Sequence, residues 1–487
     1  MALPLPKRRE LYYGGAWHAP LSGRYVERTS PGDGTSLGRV AEAAAQDVDA
    51  AVAAARAGFR VWSQVAPLER AKILHRIAEV LRTHAEELAL IDAADCGNPV
   101  REMTGDVQVA AAQLEFFAGL VTEAKGFSIP MGPNAVNFSV REPLGVVARI
   151  IPFNHPLMFC GGKSAAPLAA GNTVIVKPPE QAPLSSLRMM ELIDGLLPAG
   201  VLNVLPGGRE AGAALAAHPG IAKVALIGSV PTGRAVMRAA ADTLKQVMLE
   251  LGGKNALIVF PDADPAEAAA AIVAGMNFTW CGQSCGSTSR AFVHAAIHDA
   301  VVAEVKARCA AYRPGLPTEM STTMGALASK AQLERTLRYI DVGRSEGARL
   351  VCGGTPPADP ALKKGFFVEP TVFADVTQSM TIAKEEIFGP VLCILQWSDA
   401  EAMLEDVNSV GYGLTCSIFT RDIDSAYRTA MRVQAGYVWI NEVGRHFLGA
   451  PFGGVWQSGF GREECLEELL AFTQEKNIHV RLRPASS

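Results

Sequence analysis

Apolar positions in residues 47–61 (DVDAAVAAARAGFRV) recur at helical spacing, and a second run over 69–88 puts Ile73, Ile77, Val80 and Leu81 on one face. Pro67 and the Leu-Glu pair after it suit the first turn of that second helix. From 143 to 251 the pattern changes. Short β-branched runs at 146–151, 173–177, 201–205, 223–227 and 247–251 alternate with helical patterns around 157–170, 183–195, 210–217 and 232–245. This alternation predicts a parallel, doubly wound sheet, which binds ligands beyond the carboxyl ends of its strands. A second strand-helix series opens at 256–260 and runs to about 435. Its first helix is signalled by Asp264 as N-cap, Pro265 at the first helical position and Glu267 at the third. Stretches 352–360 and 449–461, rich in Gly and Pro, read as loops. Segments 123–142 and 470–487 are extended and β-capable, suited to pairing with another subunit.

Composition narrows the function classes. A chain of 487 residues has room for about three structural units, and 49% hydrophobic against 19% charged residues is globular rather than disordered. A net charge of -4 leaves no basic footprint for nucleic acid or an anionic membrane. No run of 18 apolar residues exists and the first residues lack an apolar core, so neither a membrane span nor a secretory signal is expected. The nine cysteines are odd in number and scattered. That suits a reducing compartment, with the cytoplasm as the expected location, better than a disulfide framework.

Several residues can carry chemistry. Cys285 lies among small neighbours in GQSCGS, which permit close substrate approach and nearby N–H donors; the competing reading is an inert packing cysteine. Cys281 stands four residues away, but no second Cys/His pair follows at zinc spacing, so no metal is expected. Glu250 ends a strand before Gly252-Gly253, either as a general base with a raised pKa or as a salt-bridged strand-end carboxylate. Asn154, boxed by prolines in IPFNHP, is either an oxyanion donor or a plain turn residue. Gly228 and Gly233 in LIGSVPTG sit between a strand and a helix, where phosphate is favoured. Lys177 and Glu180 close another strand and suit ribose hydroxyls; a carboxylate there favours NAD over NADP. Two pairs carry less. His294 and His298 lack the glutamate of a zinc-protease motif and straddle a strand end and the next turn. Glu463-Glu464 read as the acidic opening of the final helix.

Taken together, IPFNHPLM, AAGNTVIVKPPEQAP, LIGSVPTG, LELGGKN, GQSCGSTSR, EEIFGPV and PFGGVWQSGFGRE resemble the aldehyde dehydrogenase superfamily, in the family's order and over nearly the whole chain. The resemblance implies an α/β fold with a Rossmann-like cofactor domain (1–122 and 143–253), an α/β catalytic domain (254–468) and a small β oligomerisation arm (123–142 and 469–487). It implies Cys285 as nucleophile, Glu250 as general base, Asn154 as oxyanion donor and Lys163 as a lysine supporting the base. It places NAD against Ile151, Pro152, Phe153, Lys177, Glu180, Gly208, Gly228, Ser229, Gly233, Leu251, Gly252, Glu386 and Phe388. By family position, the substrate pocket is lined by His155, Met158, Gly162, Trp280, Cys281, Ser284, Arg445, His446 and Phe452. Gly162 stands where a bulky aromatic is common, which implies a wide tunnel. Phe153, Ile227, Ser287 and Trp456 also depart from the common pattern, which has Trp, Thr, Ala and Lys there. The implied activity is NAD-dependent oxidation of an aldehyde, aromatic or polar-ended, to an acid through a cysteine thioester, in a homodimer or homotetramer. A CoA-acylating relative generally lacks the Glu250 base, and a non-catalytic relative would have lost one of the three chemical residues.

Overall fold

The computed structural model of the chain describes residues 3–483. Residues 1–2 of the expected cofactor domain and 484–487 of the expected arm lie outside the described residues.

The runs of the 143–251 region form five parallel strands: Val146–Ile150, Thr173–Lys177, Leu202–Val204, Lys223–Ile227 and Gln246–Glu250. Each side of this sheet is covered, so its strands are apolar throughout rather than alternating. The Val146–Ile150 strand lies between Thr173–Lys177 and Lys223–Ile227. The winding reverses there, leaving a crevice at the carboxyl ends of Val146–Ile150 and Lys223–Ile227. The hairpin Leu11–Tyr13 and Ala16–His18 extends one edge, and Gly459–Phe460 pairs antiparallel with Gln246–Glu250 on the other.

The helices that bear on the site are α1 (Ala45–Trp62), α2 (Pro67–Thr83), α3 (Ala85–Cys96), α4 (Val100–Gly119), α5 (Pro156–Ala169), α6 (Leu184–Leu192), α7 (Arg209–Ala217), α8 (Val230–Ala241) and α9 (Pro265–Gly275). The expected helix over 69–88 is broken at His84, which leaves helical geometry so that α3 can start again one residue later. A single hinge residue does not disturb the apolar periodicity, because Leu81 and Leu88 reach the same core. The Asp264 carboxylate caps α9 through the N–H groups of Ala266 and Glu267, as its sequence predicts.

The second series forms a seven-stranded sheet whose centre is Arg290–His294, Ala256–Val259 and Thr415–Phe419, all parallel. Its core is separate from that of the first sheet. His294 ends a strand and His298 opens the following helix. Strands Ser128–Pro130, Ala135–Pro143 and Thr473–Arg481 pair antiparallel as a three-stranded arm. It leaves Phe127, Ile129, Met131, Val136 and Val480 exposed. Among the described residues no helix is long and apolar enough to cross a membrane.

Candidate active site

Two adjoining cavities occupy the crevice where the winding reverses. One, of about 740 Å³, is lined by Ile151, Lys177, Glu180 and Gly208; the other, of about 450 Å³, by Asn154, Glu250, Cys285, Glu386 and Phe388. They share Pro152, Phe153, Ile227, Gly228 and Ser229, so a single cleft runs from Glu180 to Cys285. Most residues expected to meet a dinucleotide therefore lie along one groove. Gly233 lines neither cavity: a Cβ there would press on Leu251, so it lets α8 pack closely against the sheet.

Local structure explains how each wall is built. Ser229 caps α8 with its hydroxyl on the Thr232 N–H, opening a helix N-terminus beside the cleft. Lys177 is buried and donates to the carbonyls of Pro178 and Gly207, at 2.9 and 2.8 Å. Burial brings its pKa down to about 8. A Cβ at Gly252 would collide with the Glu386 carboxylate, which accepts from the Gly253 N–H at 3.2 Å. Burial pushes Glu386 up to about 7. Phe388 holds a positive φ of 59° and meets Phe153 edge-on at 5.7 Å. Gln332 and Arg335 fix that turn by donating to the carbonyls of Phe388 and Glu386; neither residue carries a motif that sequence reading would find.

Three chain segments meet at the Cys285 end of the cleft. Cys285 is partly exposed to the cavity, and its thiol is pushed up to about 12 by burial, then by Glu250 and Glu386. Asn255 clamps its turn, donating to the carbonyls of Cys285 and Ser287 at 2.7 and 3.0 Å. Asn154 is 3% exposed, and its amide oxygen has no partner within the protein. Its backbone carbonyl accepts from Asn98 at 2.7 Å. Both oxygens of Glu250 are buried without a partner, and burial, reinforced by Glu463, raises its pKa well above the ordinary carboxylate range. Glu250 is therefore not a salt-bridged strand end.

A brace joins the two halves of this centre. Ala326 donates to the Gly97 carbonyl at 2.8 Å, beside Asn98. The Gly325 carbonyl accepts from the Cys281 thiol at 3.0 Å, and Ala328 donates to the Gln283 side chain at 3.1 Å. Gly97 and Gly325 are in such close contact that a Cβ on Gly325 would overlap the Gly97 carbonyl. Cys281 thereby faces the interior, not the substrate side expected of it.

Two further expectations are corrected. Glu463 and Glu464 do not open the final helix, Leu466–Ala471; both are buried. Glu463 takes Lys163 and Arg149, each at 2.8 Å, while Glu464 meets Lys163 at 3.4 Å and His446 at 3.0 Å. Against the effect of burial, Lys163 and His446 hold Glu464 down at about 2. Lys163 thus reaches these two glutamates and makes no ion pair with Glu250. The space facing Gly162 is not open: Gln113 of α4 fills it, and a Cβ there would collide with its side-chain oxygen. Arg445 turns its guanidinium over the Phe447 ring, at 4.9 Å.

His155, Met158, Trp280, His446 and Phe452 line neither cavity. Ser284 sits partly exposed beside Cys285. Among the described residues, no three or more His, Cys, Asp and Glu side chains are grouped to hold a metal ion.

Residues 17–478 match the model of the aldehyde dehydrogenase family. Aldehyde dehydrogenase tropH of Talaromyces stipitatus is 50% identical over 490 residues, covering 99% of this chain and 95% of the relative. The NAD+ complex of an aldehyde dehydrogenase from Bacillus cereus superposes with a TM-score of 0.94 at 39% identity, covering 98% of this chain and 97% of that one. The indole-3-acetaldehyde dehydrogenase AldA of P. syringae, a mutant in complex with NAD+ and IAA, superposes with a TM-score of 0.95 at 36% identity, with the same coverage.

Proposed function

The chain belongs to the aldehyde dehydrogenase family and is an oxidoreductase acting on aldehydes; from that premise we propose that it oxidises an aromatic or polar-ended aldehyde to the carboxylic acid, with NAD, through a thioester on Cys285. The observation that carries this reading is the convergence of Cys285, Asn154 and the unpartnered Glu250 at one end of the cleft. Two relatives of known structure hold NAD+, and one of them is named for an aromatic aldehyde.

The cleft fits a dinucleotide. It is long, opens on the N-terminus of α8, and ends in a carboxylate at Glu180. NAD bound there supplies the hydride acceptor. Glu180 and Lys177 would hold the adenosine ribose, Gly208, Gly228 and Ser229 the pyrophosphate, and Glu386 the second ribose, with Phe388 and Phe153 near the nicotinamide. The Cys285 thiolate attacks the aldehyde carbon, and the side-chain amide of Asn154 and the Cys285 N–H donate to the oxyanion. Oxidation leaves a thioester on Cys285. Glu250 then takes a proton from the water that hydrolyses it. Lys163, tied to Glu463, fixes the electrostatic surroundings of that base. We assign residues 1–122 and 143–253 to cofactor binding, 254–468 to catalysis, and the arm, with its exposed apolar edge, to contact with a second copy.

NADH formation with a panel of aldehydes tests the reading, with the product identified. Acid is the expected product; acyl-CoA formed when CoA is supplied would overturn it. NAD is expected to exceed NADP in kcat/KM because the Glu180 carboxylate repels a 2′-phosphate. Equal or better use of NADP would refute that assignment. Asn154→Ala is expected to lower kcat by about 10²–10³, the usual effect of losing one oxyanion donor. A rate within threefold of wild type would remove Asn154 from the centre.

A further inference from the structure

Two cysteines outside the cleft lie against each other at the edge of the second sheet. Cys309 is the last residue of α10 (His298–Cys309). Cys352 is the last residue of the edge strand Arg349–Cys352, on which α10 packs. That strand runs antiparallel to Thr371–Ala374, and its register shifts between Leu350 and Cys352. Such an irregularity re-aims the side chain beside it. Here the Cys352 thiol meets that of Cys309, side chain to side chain. Gly353 and Gly354 then turn the chain away with positive φ of 70° and 85°. A Cβ at Gly353 would overlap the Pro370 carbonyl, so the turn is tight, and it leaves the Cys352 sulfur 3.7 Å from that same carbonyl.

The surroundings give the two sulfurs different roles. Cys309 is buried, at the carboxyl end of a helix, where the negative end of the dipole disfavours an anion. It keeps its proton and donates. Cys352 is partly exposed and accepts. The bond from Cys309, the Val372 N–H and the Lys306 ammonium hold Cys352 below the ordinary thiol value, against burial and Glu369. A partly exposed sulfur with thiolate character attacks, and a buried thiol in contact with it resolves. The other cysteines lack this arrangement: Cys285 faces the cleft, and Cys96, Cys160, Cys281, Cys393, Cys416 and Cys465 are buried.

We propose that Cys352 and Cys309 form a reversible disulfide by exchange with a low-molecular-weight disulfide of the glutathione type. The Cys352 thiolate attacks one sulfur of glutathione disulfide, the S–S bond breaks, and one glutathione leaves with the proton that Cys352 has given up. The Cys309 thiol then loses its proton, bonds to the Cys352 sulfur and displaces the second glutathione. Two protein thiols are oxidised by two electrons, and one glutathione disulfide is reduced to two thiols. The step involves neither Cys285 nor an aldehyde, so it stands apart from the function proposed above.

The test treats the full chain with glutathione disulfide, blocks free thiols with an alkylating agent and maps the peptides by mass. The expected product is a cross-linked peptide pair containing Cys309 and Cys352, lighter by two hydrogens and separated again by dithiothreitol. In Cys309→Ser the second step is removed, and a glutathione adduct is expected to remain on Cys352. In Cys352→Ser the attacking sulfur is removed, and Cys309 is expected to be recovered alkylated. Adducts on Cys285 are mapped separately and do not enter the comparison. Both thiols recovered alkylated from the wild-type chain would overturn the proposal. A glutathione adduct persisting on wild-type Cys352, or either cysteine linked to a different one, would overturn it as well. The wild-type map decides the pairing even where a serine variant fails to fold.

Discussion

Cys285→Ala is expected to lower aldehyde oxidation by roughly 10⁴-fold or more, because no other thiol lines the reacting end of the cleft. The remaining thiols cannot substitute. Cys281 is buried and its hydrogen is directed to the Gly325 carbonyl, and burial pushes Cys160 and Cys416 up to about 12 inside the two cores. The measurement is NADH formation in single-turnover and steady-state modes, with NAD binding followed by fluorescence to show that the cleft survives. Intact binding with lost chemistry assigns the sulfur its role; a rate within tenfold of wild type would end the thioester mechanism.

The second large effect separates two steps at one site. Glu250→Gln is expected to keep the first burst of NADH and slow later turnovers by about 10²–10⁴, the span of a lost general base. The direction with pH follows from the surroundings of the carboxylate. Burial and the nearby Glu463 raise its pKa, so its basic form grows over a higher pH range than that of an ordinary carboxylate. Wild-type turnover should therefore climb with pH above the ordinary carboxylate range, and Glu250→Gln should lose that part of the climb. The Cys285 thiol, pushed up to about 12, gives a rise of its own, but it acts in the burst and is read there. A burst that disappears in Glu250→Gln would move this residue to thiolate formation.

The strands at Thr173–Lys177 and Lys223–Ile227 coincide with the β-branched runs that predict them, and the Asp264 cap follows from three adjacent residues. These features are local, so they are legible locally. Cys285, Glu250 and Asn154 stand out in the sequence for another reason: each has glycine or proline close by, and the structure brings all three to one cavity. What escapes a reading of the sequence depends on distant partners. Glu463 pairs with Arg149 across 314 residues, and Glu464 with Lys163 across 301. Nothing near a Glu-Glu step distinguishes a buried ion pair from a solvated helix start. Gln113 belongs to an amphipathic helix whose polar positions look ordinary until α5 is packed against it. The glycine at position 162 suggests open space for the same reason, since the side chain that fills it comes from another helix.

The brace that ties Gly97 to Ala326, and Gly325 and Ala328 to the segment around Cys281 and Gln283, acts mechanically. The sulfur-bearing turn and the amide-bearing turn are linked through main-chain atoms and small residues, whose thermal excursions are the smallest a protein offers. Any opening of the cleft has to carry both turns together or break these contacts.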